Sequence, residues 1–383
     1  MKTGNLKKLS VIFVALFCYS SLVSAAPTQV RINYNNNSTA NSINISWTDD
    51  TQEVSRVEYG TTAVFGQSAT ATSFESSGNM GIFHEATLTD LEPDTDYFYR
   101  VGHDGNFSIN YNFHTPPTSS CGDGFTFVVL GDNRSDDDYG PNPKWESILQ
   151  EAADEKPVVI LNTGDLIYTG TDPVQWVRYL DMTSIVSPYF PLMPTIGNHD
   201  DGPVEGDGSY YGQIHNLPRN DVTGTEDYYY FTIGDAIFVS LSTTTFRGNN
   251  SSEDAFKDQA EWLDEVLTEN PKRWKFVYFH HPVYTSHAEY FGREFNHPPN
   301  EVNQNPALVP IIDKHHVDMV FSGHNHYYER FAPLKGLSSP EQGNLAATPA
   351  DGTFYIVTGG GGAYTFDEFD LFCKKLRKKI LQL

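Results

Sequence analysis

The chain has 383 residues, enough for two domains at roughly 100–200 residues each. It carries 25 Lys and Arg against 49 Asp and Glu, a formal net charge of −24. That excludes groove or phosphate-track binding of nucleic acid, which needs a basic face, and the 14% aromatic content describes folded domains rather than a disordered acidic tail.

Residues 1–25 read as a signal peptide. Lys2, Lys7 and Lys8 precede an apolar run from Leu9 to Phe17, and Val23-Ser24-Ala25 supplies the small residues of a cleavage site. The run is too short to span a bilayer, so the expected location is secreted, extracellular or periplasmic. Cys18 leaves with the leader. Cys121 and Cys373 remain, which is no disulfide scaffold, and they either pair or stay free.

Residues 27–115 show short strands between turns. Ser42 to Trp47, Val54 to Tyr59 and Tyr97 to Val101 alternate at period two. Asp49-Asp50, Glu92-Pro93-Asp94 and Asp104-Gly105 supply the turns, so an all-β sandwich is expected. Trp47 and Tyr97 read as core. Residues 116–123, with Pro116-Pro117 and small polar residues, read as a linker.

From Gly124 the rhythm becomes strand, helix, strand at about 30 residues per unit, an α/β pattern. Strands are predicted over 125–130, 157–161, 191–196, 275–279, 317–321 and 353–358, with a hairpin at 228–241. Helices are predicted over 143–155, 173–185, 253–267 and 306–315. Continuous apolar strands suit sheets covered on both faces. The catalytic domain is placed at 124–370. Residues 371–383, with Lys374-Lys375 and Lys378-Lys379, form a basic tail: a contact segment for an acidic face or membrane, or a frayed terminus.

Five of these strands end in residues of metal-ligand type: Asp132, Asp165, Asn198, His280 and the pair His324/His326. Sites in open α/β folds form outside the carboxyl ends of strands, so five distant segments can converge. A glycine precedes Asp132, Asp165, Asn198 and His324 and allows a tight turn there. A single Gly-Asp pair is usually only a turn; five such endings in succession are a constellation.

Gly131-Asp132, Gly164-Asp165-Leu166-Ile167-Tyr168, Gly197-Asn198-His199-Asp200, Val277-Tyr278-Phe279-His280 and Gly323-His324-Asn325-His326 resemble the five ordered motifs of the purple acid phosphatases, which are calcineurin-like metallophosphoesterases. The resemblance covers nearly the whole chain after the leader. It implies an N-terminal fibronectin-III-like sandwich followed by a four-layer α/β domain, two β-sheets flanked by helices. It also implies a dinuclear centre bridged by Asp165. One ion, Fe(III), would be held by Asp132, Asp165, Tyr168 and His326. The other, Fe(II), Zn(II) or Mn(II), would be held by Asp165, Asn198, His280 and His324. A phenol with a pKa near ~10 ligates as phenolate only to a strongly acidic cation, and Asn with two His suits a softer divalent ion.

The implied reaction is hydrolysis of phosphate monoesters by metal-bound hydroxide, with inversion at phosphorus, which makes the chain an acid phosphatase. His199 and His287 are the candidates to orient the phosphate and protonate the leaving oxygen. His287 reads equally as a solvated loop residue, and His281 as a neighbour of the site or a structural residue. Where the family usually has x-Gly after the first Asp, this chain has Asn133-Arg134. Arg134 is read as a phosphate contact or as a surface residue. Phosphodiesterase or nucleotidase activity on the same ions is the alternative, and a silent secreted binding protein the third reading. Expected partners are phosphate-ester small molecules or phosphorylated substrates.

Overall fold

Period-two alternation builds the amino-terminal part as two antiparallel sheets. A computed structural model describes residues 25–35, 39–119, 124–135, 144–200, 209–243, 253–285, 289–290, 293–294, 304–339 and 342–363. Thr28–Asn33, Ile43–Asp49, Ile82–Leu88 and Thr72–Glu75 form one sheet in that spatial order. Arg56–Gly60 and Asp96–His103 are the centre of the other. Their inward residues Val57, Tyr97 and Tyr99, with Phe113 from the neighbouring strand Tyr111–His114, share one core with Trp47. The leader up to residue 24, Cys121, His287, Cys373 and the basic tail lie outside the described residues.

The second part has two facing sheets. Phe127–Leu130, Val159–Asn162 and Leu192–Pro194 are parallel, with Leu130 level with Asn162 and Asn162 level with Pro194. The larger sheet runs Tyr229–Ile233, Ala236–Ser240, Trp274–Phe279, Met319–Ser322, Phe354–Thr358, Tyr328–Arg330. Its inner pairs are parallel and both edge pairs antiparallel. Phe279 is level with Ser322 and Ser322 with Val357. The carboxyl ends of the parallel strands in each sheet are therefore in step, which brings the loops after them together.

Alternation along the larger sheet separates two cores. Phe276 and Tyr278 face the smaller sheet, while Val277 and Phe279 face the helices Glu253–Glu269 and Gln304–Lys314. Phe127 joins the sheets by packing its ring on Phe238, Phe276 and Phe321 at centroid distances of 5.1, 5.0 and 6.0 Å. Of these, Phe238, Phe276 and Phe321 are buried, and full removal of such a ring from water contributes about 1.5–3 kcal/mol. Helices Lys144–Asp154 and Pro173–Thr183 cover the smaller sheet with Trp145, Leu149, Trp176 and Tyr179. The order is helix, sheet, sheet, helix.

The first strand is also the seam between the two parts. Its Ile32 N–H donates to Ser187 O at 2.8 Å, Asn33 Nδ2 to Leu192 O at 2.6 Å and Arg31 Nε to Ile214 O at 2.6 Å. Tyr34 Oη donates to Val158 O at 2.7 Å. Among the described residues no helix is long and apolar enough to cross a membrane.

Candidate metal centre

The turns that carry the candidate ligands are tight because three of those residues take unusual backbone. Asp132, Asp165 and His324 have φ of 58°, 56° and 67°, a region most side chains avoid. Of the glycines ahead of them only Gly164 is left-handed, at φ 94°. Gly197 serves another need: a Cβ there would lie 2.0 Å from Asp165 N. So the expected glycine-made turn holds at Gly164, while at Gly197 the missing side chain lets two loops touch.

Asp132, Asp165, His280 and His326 are buried; Tyr168, Asn198, His199, His324 and Arg134 are half-buried around them. This makes a buried floor with a partly open mouth. His280 Nδ1 lies 2.8 Å from Thr163 O. A carbonyl only accepts, so Nδ1 carries the proton and the neutral ring turns the lone pair of Nε2 into the site. That lone pair faces Asn198 Oδ1 at 2.9 Å, Asp165 Oδ1 at 3.2 Å and His324 Nδ1 at 3.2 Å. His324 Nδ1 is in turn 2.9 Å from Asn198 Oδ1. Two oxygen acceptors set against a nitrogen that carries no proton form an arrangement that a shared cation satisfies. Ligands at 2.0–2.1 Å around one ion would be spaced about 3.0–3.4 Å apart, close to what is seen.

A second group adjoins it. Asp132 Oδ2 accepts from His324 N at 2.9 Å, while Asp132 Oδ1 is buried without a hydrogen-bond partner among the described residues. An orphaned buried carboxylate oxygen is costly unless something absent fills its lone pairs. His326 Nε2 lies 3.5 Å from it. The donor set therefore fits metal ions, with Asp165 placed between the two groups.

Electrostatics follow the same division. Burial and the charge of Asp165 hold the Asp132 carboxyl well above the ordinary range. Burial would raise Asp165 too, but His280, His199 and Arg134 outweigh it and hold it low. Burial lowers His280, which keeps its lone pair available.

His199 N–H donates to Asp165 Oδ1 at 3.0 Å, and its Nδ1–H donates to Tyr168 O at 2.6 Å. The Tyr168 and His199 ring centres are 5.1 Å apart. Arg134 turns inward: Nε donates to Asp165 Oδ2 at 3.2 Å, Nη2 is 3.4 Å from His326 Nε2, and Cζ is 5.4 Å from the Tyr168 ring. The surface reading of Arg134 is thus corrected; its side chain is 13% exposed. His281 packs 4.5 Å from the His324 ring and places Nδ1 3.0 Å from Thr243 Oγ1.

Other residues hold these side chains and were not singled out from sequence. Asp200 accepts from Leu166 N, Ile167 N and Gly197 N at 2.7, 3.2 and 2.7 Å. Asn133 Nδ2 donates to Leu166 O at 2.7 Å. Gln175 Oε1 accepts from Tyr168 N and Thr169 N at 3.1 and 3.0 Å. Asn325 Nδ2 donates to Thr285 Oγ1 at 3.1 Å and Tyr327 Oη at 3.0 Å. Proximity to the ligand motifs was the one available signal for Asn133, Asp200 and Asn325; nothing in the sequence marks Gln175.

Residues 125–328 match the calcineurin-like phosphoesterase family and residues 27–115 match the purple acid phosphatase N-terminal domain. Purple acid phosphatase 21 of Arabidopsis thaliana is 28% identical over 328 residues, covering 82% of this chain and 67% of that protein. The purple acid phosphatase PPD1 from yellow lupin (Lupinus luteus) seeds superposes with a TM-score of 0.69 at 22% identity, covering 89% of this chain and 66% of that one. A structure of PhoD superposes with a TM-score of 0.64 at 14% identity, covering 88% of this chain and 78% of that one. The chain thus spans about two thirds of the length of the two purple acid phosphatases. Domain profile, relatives and four-layer fold agree, and the chain belongs to the purple acid phosphatases among the calcineurin-like phosphoesterases.

Proposed function

We propose that the chain hydrolyses phosphate monoesters at a dinuclear metal centre, as a secreted acid phosphatase freed of residues 1–25. The observation that carries the reading is the lone pair of His280 Nε2 held within 3.2 Å of Asn198 Oδ1, Asp165 Oδ1 and His324 Nδ1. In this reading Asp132, Asp165, Tyr168 and His326 hold Fe(III). Asp165, Asn198, His280 and His324 hold Fe(II), Zn(II) or Mn(II). Two such ions supply Lewis acidity, polarising the ester and lowering the pKa of water.

The chain's own residues do the rest. A hydroxide oxygen, its parent water having already given one proton to solvent, bonds to phosphorus opposite the leaving oxygen, the ester P–O bond breaks, and configuration at phosphorus inverts. His199, pinned by its Nδ1–H to Tyr168 O, gives its Nε2 proton to the leaving oxygen. His287 assists as a second proton donor or phosphate contact. Arg134 offers N–H donors to the phosphate oxygens. In a chain of net charge −24, local positive charge is what admits a phosphate dianion.

The test is metal reconstitution of chelated protein, assayed on a chromogenic monoester beside a diester and a nucleotide. Monoester turnover should return with metal and fall by about a thousandfold or more in Asp165→Asn. Preference for the diester would move the chain to the alternative class, and no turnover with any metal would leave a binding protein. Iron-loaded protein should show a visible charge-transfer band that Tyr168→Phe removes.

A further inference from the structure

Asn198 and His280 meet across the gap between the two sheets. Asn198 follows Leu192–Pro194 of the smaller sheet, and His280 follows Trp274–Phe279 of the larger. Asn198 Oδ1 lies 2.9 Å from His280 Nε2. Apolar rings between the sheets attract without direction, so they do not by themselves fix how one strand end stands against the other. Hydrogen bonds do.

Leu192–Pro194 is an edge strand, and no further strand donates to its outer carbonyls. The Pro194 carbonyl accepts instead from Tyr229 Oη at 2.6 Å and from Tyr211 Oη at 2.8 Å, which fills both its lone pairs. Tyr229 Oη in turn accepts from Tyr278 Oη at 3.0 Å, and Tyr278 stands two residues before His280. Beside Pro194, Thr195 Oγ1 donates to Leu241 O at 2.7 Å. Tyr211, Tyr229, Tyr278 and Thr195 are all buried. Tyr229 and Tyr278 belong to the larger sheet, and Leu241 follows its strand Ala236–Ser240. Tyr211 comes from the short helix Tyr210–Ile214, which is part of neither sheet. The Tyr229 and Thr195 bonds therefore cross from sheet to sheet just ahead of Asn198, and the Tyr211 bond does not.

We propose that Tyr229 and Thr195 are positioning residues for the asparagine side of the metal centre. Their cross-sheet bonds fix the strand end that presents Asn198 to His280. Metal–ligand distances tolerate only about 0.2 Å, so a small slip of that strand end is felt in metal affinity. This rests on the two-ion reading above.

The experiment loads the full-length protein with Fe(III), follows the visible charge-transfer band, and titrates Zn(II) against a competing chelator. Tyr229→Phe and Thr195→Val should each weaken Zn(II) binding about tenfold, the worth of one hydrogen bond, while the band keeps its position. Thr195→Ser, which retains the hydroxyl, should restore wild-type affinity. Tyr211→Phe removes a bond from the same carbonyl without uncoupling the sheets. It should lower the urea midpoint yet leave Zn(II) affinity unchanged, which separates positioning from stability. Thr195→Val carries the test through a separate bond if Tyr229→Phe fails to fold. Equal weakening in Tyr211→Phe, or an unmoved Zn(II) affinity in the cross-sheet variants, would overturn the proposal and leave the two-ion reading intact. A wild type that takes up no Zn(II), Mn(II) or Fe(II) beside Fe(III) would end both.

Discussion

Three of the proposed ligands occupy left-handed backbone without being glycine: Asp132, Asp165 and His324. Such residues cost about 1–3 kcal/mol each and persist where surroundings over-determine them. Here the surroundings are neighbouring loops in direct backbone contact. A Cβ on Gly197 would meet Asp165 N at 2.0 Å and Asp165 Oδ1 at 2.4 Å; the first is backbone and cannot step aside, and the second is the buried carboxylate itself. Gly197→Ala should therefore displace Asp165, costing about 1–3 kcal/mol of stability and weakening metal binding at both halves. Gly360 is the control, since a Cβ there meets nothing within 4 Å. Thermal melts of both variants, with and without Zn(II), decide the matter. A Gly197→Ala protein that melts and gains metal stabilisation like Gly360→Ala would refute the close-contact account.

At the scale of elements, the site is a set of loops whose relative positions are fixed by side chains that bind no metal. Asp200 joins the loop after Val159–Asn162 to the one after Leu192–Pro194 through three backbone N–H donors. Asp200→Ala would leave those donors buried and unpaired, at about 1–3 kcal/mol each. The expected outcome is a loss of several kcal/mol in urea unfolding together with a drop in kcat. Asp200→Asn, which keeps one carbonyl acceptor, should fall between the two. Equal stability of all three proteins would show that the clamp is idle. The strand ends were legible from sequence because each is a continuous apolar run stopped by a ligand motif, as at Val159–Asn162 before Gly164-Asp165. Asp200 was legible only as part of a motif, since nothing local says which amides a carboxylate will accept from. The Leu334–Ser339 and Gln342–Leu345 hairpin was missed because Lys335-Gly336 and Gln342-Gly343 break the alternation, and the pairing itself carries register shifts. Arg134 could not be placed from sequence, because its inward turn depends on Asp165 and His326, which are 31 and 192 residues away.

For the whole molecule, the seam between sandwich and catalytic part sets a buried guanidinium, Arg31, near a buried imidazole, His215. His215, at the end of the short helix Tyr210–Ile214, is buried with neither ring nitrogen hydrogen-bonded among the described residues. It packs against the rings of Tyr179 and Tyr211 at 6.0 and 4.9 Å. Burial, then the charge of Arg31, pushes its pKa down to about 3. In the unfolded chain a histidine takes up a proton below about pH 6.5, whereas folded His215 stays neutral until about pH 3. Between those values the unfolded state binds the extra proton, so stability falls as pH falls, by about 1.4 kcal/mol per pH unit from this residue alone. On the proposed acid phosphatase reading, the working range falls inside that window and the seam is the acid-sensitive joint. His215→Phe keeps an aromatic ring between the two tyrosines and removes the titration. Its unfolding free energy, measured in urea at pH 7, 5.5 and 4, should decline with acid less steeply than wild type by about that slope, whatever the offset at pH 7. Parallel declines for the two proteins would mean that His215 reaches its proton without opening the seam, and that the two parts are joined more loosely than Arg31, Asn33 and Tyr34 imply.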